Sequence, residues 1–96
     1  MAGSEGEIKL DGTFEVEVPG APAGTYKVCL FYDGGSNFLG AVTLLLTGKL
    51  ELKGDLTPGV RASGPVLVNP EFRVYSGGTT ETCDGTLEFG SGGTVN

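Results

Sequence analysis

The chain has no histidine, no tryptophan and only two cysteines among its 96 residues. Without histidine it lacks the usual general base near neutral pH, which excludes the Ser-His-Asp triad and the Cys-His pair. Two cysteines that lie far apart in sequence, Cys29 and Cys83, cannot supply the ligands of a usual structural zinc site. We therefore predict a protein that is not an enzyme and that binds neither metal nor cofactor.

Long apolar segments are also missing, since no stretch approaches the roughly 20 residues that span a bilayer. The first residues, MAGSEGEIKL, have no basic region and no apolar stretch, unlike a signal peptide. These features predict a protein of the cytoplasm or of a virion, without membrane contact. In a reducing compartment Cys29 and Cys83 are expected to be buried thiols, and a disulfide between them is the alternative if their strands are neighbours.

Positive charge is scarce, because six basic residues face 12 acidic ones and the net charge is −6. An acidic surface repels phosphate backbones, so we expect no nucleic-acid partner. Solubility is the simplest reason for this charge. An acidic inhibitor that mimics nucleic acid is an alternative function.

What the chain does have is 18 glycines and five prolines that separate short alternating apolar runs. This pattern predicts an all-β fold, a small antiparallel β-sandwich or partly open barrel of about seven to nine short strands. We predict one domain over residues 1–96. Its short N-terminal segment (1–6) and glycine-rich C-terminal segment (90–96) are expected to be flexible tails.

The stretch PAGTYKVCLFYDGG shows the alternation most clearly. Between Thr25 and Tyr32 it predicts a strand with Tyr26, Val28 and Leu30 in the core and Lys27 exposed.

A first hairpin is predicted around Asp11 and Gly12. A three-residue loop with a bulge would place Leu10 opposite Phe14 and Ile8 opposite Val16, so that each apolar residue faces another.

The segment GTYKVCLFY, preceded by GTFEVEVPGAPA, resembles the middle strands of immunoglobulin-like and transthyretin-like β-sandwich modules. The immunoglobulin pattern has its cysteine two residues after the tyrosine, whereas Cys29 comes three residues after Tyr26 and so lies on the opposite face. The resemblance implies a sandwich fold and no particular function.

Carboxylates are the remaining candidates for chemistry. Glu15 and Glu17 share one strand face about 7 Å apart, within the range of glycosidase pairs, but a solvated strand face has the same pattern. Asp33 and Asn37 offer too few oxygen ligands for calcium, so a plain turn is expected there.

The run FLGAVTLLL, Phe38 to Leu46, is apolar almost throughout and predicts a strand buried on both faces. It is more apolar than so small a domain easily covers, which points to a contact with another protein or another copy of the chain. We predict an interface formed by Phe38, Leu39, Val42, Leu44, Leu45, Leu46, Phe31 and Val95.

By elimination, the sequence favours a non-enzymatic assembly protein that acts through protein–protein contacts as an oligomer or in many copies. A capsid decoration or cement protein of a virus, best a phage, fits as an analogy of class. An extracellular immunoglobulin-like β-sandwich module that binds carbohydrate or protein is the main alternative.

Overall fold

The protein is described by a computed structural model that covers residues 5–9, 12–56, 70–77 and 82–95. No helix occurs in these ranges, and hence none that is long and apolar enough to cross a membrane. The described strands are β1 (Glu5–Ile8), β2 (Thr13–Ala21), β3 (Gly24–Tyr32), β4 (Gly35–Leu44), β5 (Gly48–Asp55), β6 (Glu71–Ser76) and β7 (Thr86–Val95).

These seven strands form two antiparallel sheets. The three-stranded sheet has the order β1-β2-β5, and the four-stranded sheet has the order β4-β3-β6-β7. A parallel pairing of β7 with β1 joins the two sheets, so the strand order is continuous from β4 to β5. Because β4 and β5 are not hydrogen-bonded neighbours, the barrel stays open, and the predicted all-β antiparallel fold is confirmed.

The core lies between the two sheets and follows the alternation of each strand. In β3, Tyr26, Val28 and Leu30 are buried as predicted. Both sheets contribute their inward residues to one cluster, whose members are Ile8, Phe14, Val16, Val18, Ala21, Tyr26, Val28, Leu30, Leu50, Leu56, Phe72, Val74 and Phe89.

Residues 5–6 and 90–95, predicted to be parts of flexible tails, lie in β1 and β7 instead. Strand β7 pairs with β6 on one side and with β1 on the other. A glycine-rich segment can do this because a sheet ladder is made by backbone groups. At Gly6 the absence of a side chain leaves room for the ring of buried Phe72, since an added Cβ would lie 2.1 Å from that ring.

The first hairpin has a different register from the predicted one. Ile8 lies opposite Phe14, and the chain between them turns with Lys9 N–H donating to the Thr13 carbonyl at 2.9 Å. The observed register still places apolar residues opposite each other, because it is shifted from the predicted one by an even number of positions. The alternation therefore predicted correctly that apolar residues of β1 and β2 lie opposite each other, but the predicted register, and with it the loop length, was wrong.

Strand β4 was predicted to be buried on both faces, but it is the end strand of the four-stranded sheet. Its apolar side chains from Phe38 to Leu44 are mostly half-buried. The segment TTETC also predicts a short strand from the sequence, but its described end, Thr82 and Cys83, lies in a bend. The sequence also predicts short strands near Val60 and over Pro65 to Val68, and both segments fall outside the described residues.

Candidate contact surfaces

The most exposed apolar side chains lie in the bend that connects β4 to β5. Leu45 is 87% exposed and Leu46 is 81% exposed, and we call these two residues the leucine corner. Leu44, the last residue of β4, still packs partly against the core. Leu45 and Leu46 do not pack against the core, because the chain leaves the sheet at residue 45.

The structure separates the eight residues of the predicted interface into different places. Leu39, Val42 and Leu44 of β4 pack partly against the core, so they mainly stabilise the fold. Phe38 is half-buried in β4, opposite Cys29 of β3.

The two remaining members of the predicted interface lie in other strands. Phe31 is on β3, and Val95 lies in β7 opposite Ile8, with its side chain outside the described part of the structure. The leucine corner is therefore the fully exposed part of the predicted set among the residues whose side chains are described.

The outer face of the four-stranded sheet carries a cluster of aromatic and basic groups. The Arg73 guanidinium lies 4.2 Å from the centre of the Phe31 ring, and the Phe31 and Tyr75 ring centres are 6.3 Å apart. Arg73 also pairs with Glu71. Hydrogen bonding to Tyr75, and then to Glu71, raises the pKa of Arg73 above its ordinary value. The guanidinium is thus held by groups of its own sheet.

A disulfide joins Cys29 of β3 to Cys83, with 6.1 Å between the two Cα atoms. The prediction of two reduced thiols is therefore wrong. The bridge holds residues 82–85, which we call the covering segment, against the outer face of the four-stranded sheet. Cys29 is completely buried there. It closes a loop of 54 positions, and disulfides over such distances stabilise mainly by restricting the unfolded chain.

Lys27 lies beneath the same segment and is only 6% exposed, so the prediction that it is exposed is also wrong. Its Nζ donates to Asp84 Oδ1 at 2.6 Å, and the Thr82 hydroxyl donates to that same oxygen at 2.6 Å. The Asp84 side chain remains 50% exposed and keeps contact with water. The ammonium group therefore has a charged partner at the edge of the covering segment, while its stem is buried.

The outer face of the three-stranded sheet is covered by charged side chains instead. Lys49 Nζ lies 3.2 Å from Glu51 and 3.6 Å from Glu17, and Lys53 Nζ lies 3.9 Å from Glu15. All five side chains stand on neighbouring positions of β2 and β5. This is the solvated strand face expected for Glu15 and Glu17.

The pKa values of Glu17 and Glu51 shift in opposite directions, because the two residues lie opposite each other on β2 and β5. A hydrogen bond with Glu51 raises the pKa of Glu17, while a hydrogen bond from Lys49 lowers the pKa of Glu51. The hydrogen bond with Glu51 also raises the pKa of Lys49. Glu17 has a second glutamate, Glu5, opposite it on β1, so it lies between two like charges.

Carboxylate oxygens of Glu15, Glu17 and Glu51 lie within 4.8 Å of one another, a spacing at which a cation can be held. These side chains are partly or largely exposed, and each has an ion pair with a lysine. The lysines offset part of the negative charge of these carboxylates. We therefore describe the group as a solvated charged face and assign it no ligand.

Sequence reasoning missed the covering segment at residues 82–85. Its signals were present, because the second cysteine and an acidic residue are adjacent at Cys83 and Asp84, and because Lys27 and Cys29 share one face of β3. No family model, curated protein or solved structure matches the chain. The contact surfaces are thus interpreted from their own residues.

Proposed function

We propose that the protein is a non-enzymatic module that acts through protein–protein contacts, with the leucine corner as a main contact. The observation that carries this proposal is the exposure of Leu45 and Leu46, at 87% and 81%. Burying a leucine side chain contributes about 1.5–3 kcal/mol. Two adjacent leucines in the bend between β4 and β5 are therefore a compact anchor for a partner.

The disulfide favours an oxidising setting, and we propose an extracellular or cell-surface module as the first candidate. Disulfides persist in secreted and surface proteins and are rare in the reducing cytoplasm. Cys29 and Cys83 join segments that would otherwise be held on this face by Lys27 and Asp84. The partner proposed here is a protein, because the exposed anchor is aliphatic.

Capsid decoration is the second candidate, and the disulfide is compatible with it because virion surfaces are also oxidising. The observation that favours this setting is the position of the leucine corner between two successive strands, where a contact can be repeated in many copies without disturbing the core. The acidic inhibitor is not carried further. The described acidic groups of β2 form ion pairs with Lys49 and Lys53 of β5, so this face is not an array of one sign.

The test compares the wild-type chain with the double variant Leu45→Ser/Leu46→Ser, each immobilised and exposed to purified cell-envelope proteins or purified phage particles. We expect the double variant to lose binding by roughly 100-fold, since two apolar anchors are removed. The matched control is Leu87→Ser, because Leu87 is also a large exposed apolar residue, at 53%.

Binding that is lost in the double variant and kept in Leu87→Ser supports the proposal. Envelope proteins and phage particles as ligands distinguish the two settings. Equal binding of the wild-type chain and the double variant to every ligand would contradict a contact at the leucine corner.

A further inference from the structure

Among the described residues, one edge of strand β4 has no hydrogen-bonded neighbour. Strand β4 is the end strand of the four-stranded sheet, and β3 is its hydrogen-bonded neighbour among the described residues. The outer edge of such a strand presents unpaired backbone N–H and C=O groups, which form a template for another strand.

The two end strands of the fold differ in how they are protected. Strand β5 carries a charge at every second position, at Lys49, Glu51, Lys53 and Asp55. Strand β4 has neither a charge nor a proline, and residues 34–48 as a whole carry no charged side chain. Natural edge strands commonly use charges and prolines to prevent pairing, so β5 has the protective features and β4 lacks them.

The free groups of β4 can be assigned from its pairing with β3. The two-residue turn at Asp33 and Gly34 closes on the facing pair Tyr32–Gly35, which makes this a hydrogen-bonded pair. Alternate pairs then point their backbone groups away from β3. In the straight part of the strand beyond the register shift, the outward groups belong to Ala41 and Thr43.

We propose that β4 pairs antiparallel with β4 of a second copy of this chain, about a two-fold axis at Val42. This pairing rests on the proposed function, because it names the partner of the same region. Around that axis Ala41 of each copy faces Thr43 of the other, so that both sets of outward groups form hydrogen bonds. The pair is isologous, since the same strand serves on both sides.

A second copy fits this edge better than other occupants because of charge and of shape. Each copy carries a net charge of −6, so two copies approach most easily where residues 34–48 carry none. An antiparallel pair also brings the end of β4, which leads into the leucine corner, near the half-buried apolar side chains Phe38 and Leu39 of the other copy.

The first test uses Thr43→Pro, which removes an outward N–H and leaves the ladder to β3 intact. Its control is Thr43→Val, which keeps the N–H and a β-branched side chain. We expect the wild type and Thr43→Val to form dimers in sedimentation equilibrium. Thr43→Pro should raise the dimer dissociation constant about tenfold or more.

A second pair of variants keeps the test decisive if Thr43→Pro does not fold. Ala41→Glu places two carboxylates beside the axis, whereas Ala41→Gln has a similar shape without charge. We expect Ala41→Gln to dimerise and Ala41→Glu to be monomeric at low salt, with partial recovery as salt screens the repulsion.

A wild-type chain that stays monomeric at all concentrations would overturn the pairing. A dimer unaffected by Thr43→Pro and Ala41→Glu would also overturn it. If Leu45→Ser/Leu46→Ser alone abolished that dimer, the strand pairing would fail while contact at the leucine corner stood. Leucine-dependent binding of a monomer to another protein would likewise support the proposed function and refute the second copy.

Discussion

The two sheets present different outer surfaces. The three-stranded sheet is covered by exposed ion pairs between β2 and β5, and its end strand β5 is charged at alternate positions. The four-stranded sheet is covered by a distant segment that is fixed by the Cys29–Cys83 disulfide and by the Lys27–Asp84 pair. Its end strand β4 is uncharged and leads into the leucine corner.

This difference indicates which surface needs other groups to complete it. The outer face of the three-stranded sheet needs no further contact, because exposed lysines and glutamates are stable when they remain solvated. The four-stranded sheet has an outer face that is contacted by residues 82–85, and an edge, that of β4, with no hydrogen-bonded neighbour in the described part of the chain.

Removing the disulfide with Cys29→Ala/Cys83→Ala should have the largest effect. The loop spans 54 positions, and restricting the unfolded chain over such a length contributes about 4 kcal/mol in the chain-entropy treatment. Denaturant unfolding of the variant and of the wild type measures the difference. If both had the same free energy of unfolding, the covering segment would not stabilise the four-stranded sheet.

Gly6→Ala tests the contact between the two sheets. The added Cβ would lie 2.1 Å from the buried ring of Phe72, and the overpacking should cost about 3 kcal/mol. Gly48→Ala is the control, since its Cβ would meet its nearest atom at 3.9 Å. Thermal melts of both variants give the comparison, and a neutral Gly6→Ala would mean that the sheets are not packed as described.

Lys27→Ala and Lys53→Ala compare a lysine from each outer face. Lys27 is buried against the covering segment, so truncation should cost on the order of 2 kcal/mol through lost packing and a lost charge pair. The Lys53 side chain is exposed, and its truncation should stay within about 0.5 kcal/mol. Equal effects in urea unfolding would remove the distinction between the two faces.

Glu17→Gln should have the smallest effect, a slight stabilisation at pH 7. Glu17 lies opposite Glu5 and Glu51, and hydrogen bonding with Glu51 raises its pKa. A raised pKa for an acid means that its ionised form weakens the fold above that pKa and that protonation relieves this. The gain from glutamine should therefore shrink as the pH falls through the raised pKa, and melts between acidic and neutral pH measure it. A gain that grew towards acidic pH would contradict this account.

Alternation within one strand predicted the core residues of β3. It placed Tyr26, Val28 and Leu30 correctly because side-chain direction in a strand depends only on neighbouring positions. It could not predict that Lys27 is buried, because the segment that covers it is more than 50 positions away in sequence. The disulfide was kept as the alternative to two reduced thiols for the same reason, and because the compartment was inferred from the first residues alone.

Strand order was the other feature that local patterns could not provide. The apolar run from Phe38 to Leu46 is compatible with a central strand or with an edge that contacts another protein. The glycine-rich end likewise gave no side-chain signal, although its backbone pairs with β6 and β1. Both cases depend on which strands become neighbours, which the pattern of a single segment does not specify.

Backbone hydrogen exchange, measured residue by residue at low and high protein concentration, distinguishes a contact edge at β4 from a protected edge at β5. If β4 is a contact edge and β5 is a protected one, the amides of Ala41 and Thr43 should exchange more slowly as concentration rises. The amides of Glu51 and Lys53 in β5 should keep their rates. Rates in β4 that do not depend on concentration, or that change equally in both strands, would contradict the account.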